Sequence, residues 1–144
     1  QMMKAKWCIA ALAMGFAGMA FADVSSVMTV DLQGPGGHSY RRYGNTNAVH
    51  AAARAISAIQ AAIPDQRQCV VFNFNGGATV NAIASNSSFQ VSLVAKDQKS
   101  MDELKAKVQK AVKEGVDAEN KFRSAKPGDL TQDGVPAAIA VTFK

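Results

Sequence analysis

Side chains that bind metals or act as nucleophiles are scarce in this chain. It has two histidines and two cysteines in 144 residues, without a cysteine pair, a His-x-x-x-His or a His-x-Asp spacing. That scarcity argues against a zinc site built from its own residues. No Gly-x-Ser-x-Gly elbow is present, and Ser39 stands beside His38 in sequence, where neighbouring side chains rarely point at one another. Independent catalysis is therefore not expected. Charge of one sign is also in short supply: 16 basic against 11 acidic residues give +5, and loss of Lys4 and Lys6 leaves +3, too mild a balance to argue for nucleic acid. Aromatic residues make up 7%. Phe72, Phe74 and Phe89 lack the basic-Gly-aromatic motif of RNA-binding strands and are expected in the core.

One long apolar run is present, from Trp7 to Ala22, behind Lys4 and Lys6 and closing with Ala20-Phe21-Ala22. A basic start, an apolar stretch and a small-x-small site read as a bacterial-type signal peptide over residues 1–22, cleaved after Ala22, with the natural start at Met3. The expected domain is 23–144, secreted or periplasmic and free of the membrane after cleavage. Cleavage removes Cys8, so Cys69 cannot form an internal disulfide, and its apolar neighbours Val70, Val71 and Phe72 mark it as a buried, inert thiol.

Within residues 23–144 the periodicities alternate. Val27 to Leu32 reads as a half-buried strand, broken by Gly34-Pro35-Gly36-Gly37-His38-Ser39-Tyr40. His38 is thus delivered by a glycine-rich loop, where it reads either as a functional group or as an ordinary turn residue. Val49, Ala52, Ala53, Ile56, Ile59 and Ile63 recur at helical spacing after Asn45, Thr46 and Asn47, and Pro64 closes the helix. His50, on its first turn, is expected to be partly buried. Cys69–Phe74, running into Asn75-Gly76-Gly77, and Ser88–Ala95 read as strands, with Asn81 in a polar connection between them. Ser100 and Glu103 form a capping box before a stripe of Met101, Leu104, Val108, Ala111 and Val112, opposite Lys105, Lys107, Lys110 and Lys113. Ala137–Phe143 reads as the last strand. The order β-α-β-β-α-β predicts an α+β, ferredoxin-like two-layer sandwich, with a four-stranded antiparallel sheet and both helices on one face.

Three separated motifs, Gly34-Pro35-Gly36-Gly37-His38-Ser39, Asn47-Ala48-Val49-His50-Ala51 and Gly76-Gly77-Ala78-Thr79-Val80-Asn81-Ala82-Ile83, resemble a known family. They are similar to the dimerisation, or lid, domain of the aminoacylases, tripeptidases and glutamate carboxypeptidases, the co-catalytic zinc metallopeptidases of family M20. The resemblance implies a βαββαβ lid that pairs across a homodimer. It also implies that His38 stabilises the oxyanion in the neighbouring subunit's active site and that Asn81 lies near substrate. Gly34, Gly36, Gly37, Asn47, His50, Gly76 and Gly77 would be structural positions of the motifs. Two positions depart from the pattern: Ala84 stands where a proline usually follows, and no arginine occurs from Phe89 to Lys96. The zinc ligands of such enzymes, a His-x-Asp, a bridging carboxylate, a Glu-Glu pair and a distal histidine, do not occur in these residues, so zinc would belong to a missing or separate catalytic domain. The expected function is a secreted, non-catalytic dimerisation domain that self-associates or assists a peptidase in trans. A fragment of a metallopeptidase and a propeptide-like or inhibitor-like sandwich remain the alternatives.

Overall fold

The computed structural model describes residues 23–144; the expected signal peptide, 1–22, lies outside the described residues. Alternation in two strands builds the core. Strand β1, Val24–Gln33, turns Met28, Val30 and Leu32 inward, and β3, Asn86–Ala95, turns in Phe89, Val91, Leu93 and Ala95. They pair antiparallel from Val24↔Ala95 to Gln33↔Asn86, so both apolar rows fall on one face. Strand β2, Cys69–Gly76, flanks β3 antiparallel, and β4, Ala140–Phe143, flanks β1 in the same way. The sheet order is therefore β2-β3-β1-β4, the ferredoxin-like arrangement expected from the sequence.

Helix α1, Ala48–Ala62, starts where Asn47 Oδ1 accepts from the amides of Val49 and His50, and it ends as Ile63 donates to the Ile59 carbonyl just before Pro64. Helix α2, Gln98–Phe122, lays Met101, Leu104, Val108, Ala111 and Val112 on the core, as their spacing predicts. Its start differs from the expected capping box. Asp97 is the N-cap, its carboxylate accepting from the Ser100 amide at 2.7 Å, which makes Ser100 the third helical residue and leaves Glu103 on the exposed second turn. That hydrogen bond holds the Asp97 carboxyl below its ordinary value. The two helices approach closely through small residues. A Cβ on buried Gly115 would stand 2.4 Å from the Ala55 backbone nitrogen, so the glycine permits backbone contact that any side chain would prevent.

Three further expectations change. Phe89 is fully buried, but Phe72 and Phe74 are 41% and 45% exposed: Phe72 pairs with Gln90, on the sheet face opposite the buried row of Phe89 and Val91, and a bulge between Phe72 and Asn75, where Asn73 adopts φ 52°, breaks the alternation before Phe74. The last strand begins at Ala140, three residues later than its apolar run. Ala137 is instead held by the loop, donating to the Asp129 carbonyl while its own carbonyl accepts from Thr46 Oγ1. His50 is exposed. The inward positions of α1 are Ala48, Ala51, Ala52, Ala55 and Ile59, and the helical period turns residue 50 away from them. Cys69 is buried as expected, and burial raises its thiol above the ordinary range. Among the described residues no helix is long and apolar enough to cross a membrane.

Candidate functional site

The connection leaving β1 and the connection entering β3 are zipped together. Gly34 N–H donates to Ser85 O at 2.8 Å, Ile83 N–H to Gly37 O at 2.8 Å, and Ser39 N–H to Asn81 O at 3.0 Å, with His38 and Ala82 forming an isolated antiparallel bridge. Two of the sequence motifs, some forty positions apart, thereby become one short two-stranded tongue. Gly36 at φ 66° and Gly37 at φ 118° allow this path, in a region that side chains disfavour. Asn45 Nδ2 donates to the Gly36 carbonyl at 3.0 Å and fixes the turn from below.

His38 is exposed on this tongue. Its Nδ1 accepts from the backbone amides of Tyr40 at 3.2 Å and Arg41 at 3.4 Å. An Nδ1 that accepts leaves the proton of the neutral ring on Nε2, so the side chain offers one N–H donor outward. Asn81 is exposed on the opposing strand of the tongue, its Oδ1 accepting from Thr79 Oγ1 at 2.8 Å. That bond occupies the acceptor end of the amide and leaves its donor end. The structure thus brings the His38 and Asn81 segments together as hydrogen-bonded neighbours, each with a donor to give. This arrangement can bind a carbonyl oxygen, a carboxylate or a developing oxyanion.

The third motif anchors the tongue. Asn47 caps α1, while Ala48 N–H donates to Ala84 O at 3.0 Å and Ser87 Oγ to Ala48 O at 2.7 Å. His50 enters only through its backbone amide, bound by Asn47 Oδ1 at 3.1 Å; its imidazole is not gathered into the site. Gly76 closes β2 beneath Val49 and Phe74, where a Cβ would meet Val49 Cγ2 at 2.9 Å, and Gly77 begins the connection to the tongue. Among the described residues, no three His, Cys, Asp or Glu side chains gather as a metal site.

Two supports went unread in the sequence. Glu119 is fully buried, with Oε2 accepting from Asn47 N–H at 3.0 Å and Oε1 from Arg54 Nε at 3.3 Å. It therefore ties α2 to the start of α1 beneath the tongue. The signal was available: Glu119 continues the buried series Val112, Gly115 and Val116 at helical spacing. The second support is Arg42, whose Nε and Nη2 grip Asp133 at 2.8 and 2.9 Å and hold that carboxyl below its ordinary value. No sequence spacing marks this pair, because 91 positions separate its members.

The fold has counterparts among solved structures. The aminobenzoyl-glutamate utilization protein of Klebsiella pneumoniae superposes with a TM-score of 0.62 at 15% identity, over 87% of this chain and 28% of that one. A hydantoinase/carbamoylase family amidase of Burkholderia ambifaria gives 0.61 at 15% identity, over 86% and 27%. The aminopeptidase PepT of Bacillus cereus gives 0.60 at 14% identity, over 87% and 30%. The chain thus spans less than a third of the length of these structures, and at such identities the likeness is one of fold. No curated protein matches the sequence. The family model of the peptidase dimerisation domain matches residues 25–119, from β1 to the last turn of α2 and across the whole tongue. With the βαββαβ sandwich and its three motifs in place, the chain belongs to the peptidase dimerisation domains of the M20 peptidase family.

Proposed function

We propose that this domain is a secreted lid that forms a homodimer and lends the His38 donor to a zinc peptidase or amidohydrolase active site outside its own fold. The observation that supports pairing is the free edge of β2. Val70, Phe72 and Phe74 are all exposed along this eight-residue strand, whereas the other edge strand, β4, is only four residues long. An exposed apolar edge strand is a template for a second copy, and a two-fold axis lets the same edge serve both partners. On this reading the domain carries no zinc; the metal belongs to a catalytic domain, its own or a partner's. His38 Nε2–H is the donor for the oxyanion of the tetrahedral intermediate, and Asn81 orients substrate. Cleavage after Ala22 delivers the domain outside the cytoplasm. A second reading places the same domain inside a longer hydrolase, supported by its short span relative to the enzymes it superposes on.

Light scattering over a concentration series tests the pairing. A dimer that Phe72→Lys turns into a folded monomer is the expected result, since the substitution places a charge in the exposed apolar row of the pairing strand. A wild-type chain that stays monomeric at high concentration would refute pairing through β2.

A further inference from the structure

The loop following His38 and the end of α2 together form a surface that the tongue does not use. Tyr40 and Tyr43 are 84% and 77% exposed, and Phe122, on the last turn of α2, is 64% exposed. Arginines link them. Arg123 Nη1 donates to the Tyr43 carbonyl at 3.3 Å and its guanidinium lies 4.9 Å from the centre of the Phe122 ring, while Arg54 lies 5.1 Å from the same centre. Arg41 and Arg42 stand between the two tyrosines, Arg42 Nη1 donating to the Arg41 carbonyl. Arg54 and Arg123 therefore flank the Phe122 ring, with Arg41 and Arg42 in the adjoining tyrosine loop, and two carboxylates answer these four charges, Asp133 on Arg42 and the buried Glu119 on Arg54. Arg41 and Arg123 have no ion pair among the described residues; Arg123 Nε is itself buried without an acceptor, so only the outer nitrogens of that guanidinium face a docked group.

We infer that this surface docks a polypeptide segment carrying carboxylates beside apolar side chains. Three physical features favour that occupant. Tyrosine and arginine are the residues enriched where protein partners bind tightly, and aromatic rings give contact area at small entropic cost. Arg41, exposed and without an ion pair among the described residues, keeps its N–H fork for a planar, bidentate acceptor, which a carboxylate supplies. The uncompensated charge on Arg41 and Arg123 is complementary to acidic side chains and steers their approach. The surface is distinct from the β2 edge, so the inference does not rest on homodimerisation.

The test is a nuclear magnetic resonance titration of the full chain with a short peptide alternating glutamate and leucine, and with its glutamine counterpart. The glutamate peptide should shift resonances of Tyr40–Tyr43, Phe122 and Arg123, and the shifts should shrink with added salt. Arg41→Glu and Phe122→Ser, both at exposed positions, should each weaken binding by about tenfold. Phe72→Lys should leave it unchanged, which separates this surface from the pairing edge. Equal binding of the glutamine peptide, shifts centred on the lysine face of α2, or tighter binding of a single-stranded oligonucleotide to the same residues would each overturn the inference.

Discussion

Replacing Gly115 with alanine should destabilise the fold even though alanine is the better helix former. The added Cβ would lie 2.4 Å from the Ala55 nitrogen, 2.5 Å from its Cα and 2.7 Å from the Arg54 carbonyl carbon. All three are backbone atoms of α1, so no rotamer change can relieve the contact. The helices must separate by about 1 Å to restore ordinary van der Waals spacing, and a gap of that size forfeits roughly a quarter to a half of each affected contact. Those contacts belong to Ala51, Ala52, Ala55, Ala111 and Val112, the buried small residues of the helix pair. Overpacking of this kind costs about 1–3 kcal/mol, and the upper end applies because the obstruction is backbone. Helix propensity returns about 1 kcal/mol. The net expectation is a loss of about 2 kcal/mol, or roughly 6–10 °C in Tm for a domain of about 120 residues. Thermal and urea unfolding followed by circular dichroism read this directly. A Tm equal to or above that of the parent would refute the close approach of α1 and α2, because propensity would then have acted alone.

Truncating Glu119→Ala strips a buried acceptor from both Asn47 N–H and Arg54. A loss of about 2–3 kcal/mol is expected in urea unfolding, less than for a fully buried pair because Arg54 is partly solvated, and Glu119→Gln should recover part of it. His38→Ala should leave Tm within a few degrees, since an exposed substitution costs about 0.5 kcal/mol and only two long bonds to Nδ1 are lost; a drop of many degrees would show that the residue is structural. Acid should destabilise the domain in a defined direction. Asp65, Asp97 and Asp133 are held below the ordinary carboxyl value by Arg67, the Ser100 amide and Arg42 respectively. A carboxyl with a depressed folded-state value contributes stability that is complete above its unfolded value, about 3.9, and is lost as pH falls through the folded one. Denaturant midpoints should therefore hold steady down to about pH 5 and decline below about pH 4, and Asp97→Asn should flatten that decline.

The order of the elements, the two-layer sandwich and the family were legible in the residue pattern. Period-two alternation in β1 and β3 and period-3.6 stripes in both helices assign each residue to a face, because the repeat geometry sets which side chains point the same way. His38, Asn81 and the glycines around them were legible as motifs. Tertiary structure decided what distance along the chain conceals. The pairing of residues 34–39 with 81–85 makes one tongue of two loops, and it depends on where β1 and β3 end beside each other in the sheet. The exposure of Phe72 follows from its register with Gln90 on the face opposite the buried row, and that of Phe74 from the bulge before it, and the pairing of β2 with β3 fixes both. The helix start at Asp97 went unread because two residues of one short stretch can each cap, and only backbone geometry selects between them. Arg42 with Asp133 and Arg54 with Glu119 are contacts between remote segments, so packing of the folded chain alone brings each pair within hydrogen-bonding distance.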